Sequence, residues 1–101
     1  MKVCELTLVP LGQGTSCSKY VAGALDSIKD MEGIQYELNP MGTVIAAEEL
    51  STLYKAIEIM QESVFKKGAN RVYSVIKIDD RRDKERDFHE KIKSVEEKLE
   101  K

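Results

Sequence analysis

An α+β architecture is what the 101-residue sequence predicts, on three observations. Four segments alternate apolar and polar residues with a period of two, three repeat apolar residues at helical spacing, and they follow one another as β-α-β-β-α-β-α. In the first, from Lys2 to Val9, Cys4, Leu6 and Leu8 alternate with Val3, Glu5, Thr7 and Val9, the signature of a half-buried strand. Pro10 and Gly12-Gln13-Gly14 end it, and Thr15 or Ser16 can cap a helix that carries Val21, Leu25, Ile28 and Met31 and stops near Gly33.

Ile34, Tyr36 and Leu38 mark a second strand and Thr43 to Glu48 a third. Pro40 has no N–H to give a ladder, so Asn39-Pro40-Met41-Gly42 is read as the turn of a hairpin. Leu50, Leu53, Tyr54, Ile57, Met60 and Val64 then recur as a helix, opened by Ser51 or Thr52 and closed by Lys66-Lys67-Gly68. A fourth strand runs from Val72 to Ile78. A last helix from about Asp83 carries Phe88, Ile92, Val95 and Leu99. The order matches the ferredoxin-like βαββαβ sandwich with an additional C-terminal helix, in one domain spanning 1–101. Right-handed crossovers then place two helices on one sheet face and leave the other open.

Composition narrows the function. Lys+Arg 16 against Asp+Glu 18 give a net charge of −2, and no global attraction to a phosphate backbone or an anionic membrane follows from that. No stretch approaches the ~20 apolar residues of a membrane helix, and the first residues are too polar for a secretion signal, so a cytoplasmic location is expected. Cys4 and Cys17 lack C-x-x-C spacing, and His89 is the single histidine, so neither a metal site nor a bound cofactor is expected. Glu48 and Glu49 are adjacent on a strand and point to opposite faces, so they cannot share one catalytic site.

Three features depart from a plain monomer. The open face combines Val3, Glu5, Thr7 and Val9 with Tyr73, Val75 and Lys77, so it is either an interface or a mixed surface with a Glu5–Lys77 charge pair. In the last helix, Phe88, Ile92, Val95 and Leu99 form a narrow stripe suited to a second helix, a neighbouring subunit or its own sheet edge. The loop Pro10 to Ser18 carries two glycines and three hydroxyls that suit either an anion or polar ring, or a simple turn and cap. It lacks both the dinucleotide and the P-loop fingerprints, and it has no arginine for acylphosphatase-type chemistry.

Three motifs together are more specific: V-P-L-G-Q-G-T-S-C-S-K-Y-V from Val9, Y-E-L-N-P-M-G-T from Tyr36, and G-A-N-R-V-Y-S-V-I-K-I-D-D-R-R-D from Gly68. In these, nearly the whole chain resembles the small thiamine-binding protein family related to YkoF. The resemblance implies a ferredoxin-like subunit that self-associates into dimers and tetramers and binds thiamine or its pyrimidine fragment without catalysis. The matching positions are Pro10, Gly12, Ser16, Ser18 and Tyr20, then Tyr36 and Pro40 to Thr43, then Arg71, Val72, Ile76, Asp79, Arg81 and Asp83. Gln61 and Ser74 depart from the family pattern, which has histidine and threonine there.

An aminopyrimidine offers ring nitrogens and an exocyclic amine, which Glu5 or Glu48 and the hydroxyls of Thr7, Ser16, Ser18 and Thr43 can match. Tyr36, Tyr73 or Met41 can lie against its ring, and the first expectation for the ligand contacts is Glu5 with the hydroxyl loop. The competing reading is a ligand-free interaction module, a tetramer built through sheet faces and C-terminal helices.

Overall fold

The computed structural model describes residues 1–14, 17–83 and 88–99. Its elements run β1 (Lys2–Pro10), α1 (Ser18–Ile28), β2 (Ile34–Asn39), β3 (Gly42–Ala47), α2 (Leu50–Lys66), β4 (Val72–Asp80) and α3 (Phe88–Leu99). The strands form one antiparallel sheet in the order β2-β3-β1-β4.

Register sorts the side chains. Leu6 pairs with Thr43 on one side and Ile76 on the other, and Thr43 pairs with Leu38, so these four share the helix-facing side. Glu5 pairs with Val44 and Lys77, and Val44 with Glu37, so that row lies on the opposite, open face. The expected Glu5–Lys77 pair is present, with Nζ 3.9 Å from Oε1. Both ends are well exposed, so it contributes at most about 1 kcal/mol.

The core lies between the sheet and α2, where Leu53, Ala56, Ile57 and Met60 meet Cys4, Leu6, Ile45 and Ala47. Leu53 is fully buried, and Leu53→Ala is expected to cost about 2–5 kcal/mol in urea unfolding with little change in the denaturant slope.

Local details depart from the sequence expectations. The buried stripe of α1 is Tyr20, Ala24 and Ile28, with Val21 and Leu25 at its flanks. The helix is thus turned by about one residue from the expected stripe, because α1 packs mainly on α2. Cys17 occupies its N-cap without a side-chain bond; Thr15 and Ser16, the expected caps, lie outside the described residues. At α2 the N-cap is Glu49, so Ser51 and Thr52 fall inside the first turn, and Tyr54 is 52% exposed. Gly12 and Gly14 both adopt φ +83°, and a side chain there would meet nothing within 4 Å. The positive φ is what requires glycine at both positions of this turn.

α3 begins beside the open face, where His89 Nε2 lies 2.6 Å from Glu37 Oε2. Along its apolar stripe Ile92 and Val95 are each 54% exposed and Leu99 is 78% exposed. These three side chains are thus left largely exposed; the side chain of Phe88, the first residue of the stripe, lies outside the described residues.

Candidate functional site

A cavity of about 200 Å³ opens between α1 and the helix-facing side of the sheet. Its origin is local. α1 packs mainly on α2, and on the side that borders this space it presents Ala24, a small side chain. The Leu6–Thr43–Leu38 row and Leu8 border the space on the sheet side, Tyr20 and Val21 on the helix side, and Cys17 closes the N-terminal end of α1.

The rim is the β2–β3 hairpin, whose tip is Pro40-Met41 between the paired Asn39 and Gly42. Two bonds hold this tip: Thr7 Oγ1 donates to the Met41 carbonyl at 3.0 Å, and the Met41 N–H donates to Asn39 Oδ1 at 2.9 Å. A side chain at position 42 would come within 2.9 Å of both the Leu6 carbonyl and Thr7 Oγ1, so glycine is needed there for close approach.

The lining is largely apolar. Among the described residues that line it there is no carboxylate, lysine or arginine. Its polar groups are few and convergent. The Tyr20 hydroxyl donates to Gln13 Oε1 at 2.9 Å, which ties the cavity wall to the Gly12-Gln13-Gly14 turn. Thr43 is only 5% exposed, and among the described residues its hydroxyl has no hydrogen-bond partner. No buried side-chain oxygen among them is sealed off without a partner, so this hydroxyl is reached from the cavity. Asn39 spends its oxygen on the turn and keeps its amide N–H groups available.

Comparison with known proteins shows the family and the fold. The family described as thiamine-binding protein matches residues 4–96. The chain belongs to the thiamine-binding protein family. A relative from Methanothermobacter thermautotrophicus, a UPF0045 protein, is 44% identical over 100 residues, covering 98% of this chain and all of that one. The UPF0045 protein YqgV of Bacillus subtilis is 43% identical, with 94% of each chain covered. A hypothetical protein from Methanocaldococcus jannaschii, solved by crystallography, superposes with a TM-score of 0.83 at 38% identity, covering 95% of this chain and 96% of that one. A candidate thiamine biosynthesis/salvage protein of Thermotoga maritima shares the fold at a TM-score of 0.73 and 16% identity, with 93% and 97% of the two chains covered.

Within this family member, the residues singled out from sequence fall in three places. Thr7, Met41 and Thr43 come together at the cavity. Glu5 lies on the open sheet face, while Tyr36 on β2 and Glu48 just beyond β3 are exposed and do not line the cavity. Ser18 is the exposed first residue of α1, and Ser16 lies outside the described residues. Tyr20, Ala24, Cys17 and Asn39 line the cavity without having been singled out as ligand contacts. Tyr20 and Asn39 stand inside the motifs that carry the family resemblance; Ala24 left no comparable signal.

The two departures from the family pattern, Gln61 on α2 and Ser74 on β4, touch each other: Ser74 Oγ donates to Gln61 Oε1. They form one polar contact between helix and sheet and do not line the cavity.

Proposed function

We propose that this chain is a non-catalytic binding protein for thiamine or its pyrimidine fragment, and that the ligand ring enters the cavity beneath α1. The observation that carries the reading is Thr43, a residue only 5% exposed that lines an otherwise apolar cavity and whose hydroxyl, not sealed off, has no protein partner among the described residues. A preformed apolar pocket with a few placed polar groups is the usual form of a small-molecule site. At about 200 Å³ the cavity is below the ~300–1,000 Å³ of drug-sized pockets, so it suits one substituted ring. The aminopyrimidine is the part that fits. A thiazolium cation would find no carboxylate among the described lining residues and stays nearer the Met41 rim.

In this reading Thr43 hydrogen-bonds a ring nitrogen or amine, Asn39 offers its amide N–H, and Thr7 holds the hairpin tip in place. Calorimetric titration with thiamine and with hydroxymethylpyrimidine tests it. Saturable binding is expected, and Thr43→Val, nearly equal in shape, should weaken it by about 3- to 10-fold, the range of one neutral hydrogen bond. Glu5→Gln should leave the affinity unchanged. Flat titrations with folded protein overturn the reading, and weakening by Glu5→Gln but not Thr43→Val moves the ligand to the open face.

The subunit is further read as ferredoxin-like, from its β2-β3-β1-β4 sheet order, and as one that self-associates into dimers and tetramers. Supporting this are the exposed Tyr73 and Val75 of the open face and the exposed stripe of α3.

A further inference from the structure

The cavity holds one nucleophilic group that the binding reading does not use. Cys17 stands at the N-cap of α1, is partly accessible, and lines the cavity. It is a free thiol. Opposite it in character is Cys4, fully buried in the core, where desolvation pushes the thiol pKa up to about 11 and leaves little of the reactive thiolate. The chain therefore carries one accessible thiol and one inert internal reference.

What makes Cys17 more than an accessible cysteine is the space beside it. The same cavity is lined by Thr43, a residue only 5% exposed whose accessible hydroxyl has no protein partner among the described residues and can bond a polar ligand atom. Any group attached to Cys17 Sγ and turned inward takes up part of the same cavity of about 200 Å³ that a ring hydrogen-bonded to Thr43 would enter.

We propose that Cys17 is a thiol switch on the ligand cavity: mixed-disulfide formation with a small disulfide closes the cavity to ligand, and a bound ligand shields the thiol. The proposal rests on the reading of this cavity as the ligand site. In the step, the Cys17 proton goes to water and the thiolate attacks one sulfur of the small disulfide. The S–S bond of that disulfide breaks as the Cys17 S–S bond forms, and the released thiolate takes up a proton. One disulfide is consumed and one is formed. A reducing thiol reverses the step by the same exchange.

The test uses the folded full chain with hydroxyethyl disulfide as the capping reagent and hydroxymethylpyrimidine as the ligand probe. Intact mass and peptide mapping should show a single adduct on Cys17, with Cys4 capped only after denaturation. The capped protein should bind the pyrimidine at least 10-fold more weakly, recover on reduction, and be capped at least 5-fold more slowly when the pyrimidine is saturating. In Cys17→Ser, whatever its affinity, the disulfide should change nothing. Methyl NMR signals of Ala24, Met41 and Thr43 read the cavity without any ligand and should shift on capping. If the methyls shift but the pyrimidine binds neither form, the binding reading falls and the cavity thiol stands. The switch is overturned if Cys17 stays uncapped while a model thiol peptide is consumed, if the methyls do not move, or if the capped protein binds with unchanged affinity.

Discussion

Ala24→Leu is expected to abolish the rise in melting temperature that thiamine or its pyrimidine fragment gives the unmodified protein. Ala24 is buried and is the small residue that α1 presents to the cavity. A leucine there is larger on the side that borders the cavity of about 200 Å³, so it removes room for a ring. The apo protein should keep its melting temperature to within a few degrees. A ligand at 100 times its Kd adds about 2.7 kcal/mol to a folded domain, which for about 100 residues is roughly 10–20 °C. Differential scanning fluorimetry on the two proteins would show that rise in one and not in the other. A variant that melts normally and still responds to ligand places the ring elsewhere.

The second large effect is expected from Ile92→Glu combined with Val95→Glu. These side chains are each 54% exposed on α3 and stand on the same helical stripe as Leu99. Such a stripe on a polar helix suits another copy of itself, where fully burying each aliphatic side chain contributes about 1.5–3 kcal/mol. Two carboxylates in that seam would be desolvated without partners, a cost of several kcal/mol. Sedimentation velocity should show an assembly for the wild type and monomers for the double variant, with similar far-UV circular dichroism. A wild-type chain that is monomeric at high micromolar concentration removes the self-association reading altogether.

Much of the scaffold was legible because its signals are local. The alternation of Cys4, Leu6 and Leu8 with Glu5, Thr7 and Val9 assigned each residue of β1 to a face before any pairing was known. Pro40 forced the hairpin into the connection where it is found. Glu5 opposite Lys77 followed once two alternating strands were placed side by side. Capping residues and the α1 stripe were read less well. Several hydroxyls and apolar residues competed for each role, and packing against α2 decided among them.

The cavity belongs to a different order of information. Thr7, Met41 and Thr43 were recognised as candidate ligand groups, yet so were Glu5, Tyr36 and Glu48, and nothing in spacing separates the two sets. Register puts Thr43 with Leu6 and Leu38 on the helix side and Glu5 on the other, and the hairpin tip, bonded to Thr7, brings Met41 and Thr7 to the rim while Tyr36 stays away from it. By itself the sequence determined the elements, their faces, the balance of charge and, through three motifs, the family. Tertiary structure alone decided where a cavity opens and which hydroxyl-bearing residues border it. An empty volume is made by what neighbouring elements fail to fill, here a helix that packs mainly on α2 and presents an alanine beside the gap, and that is a property of no single stretch of chain.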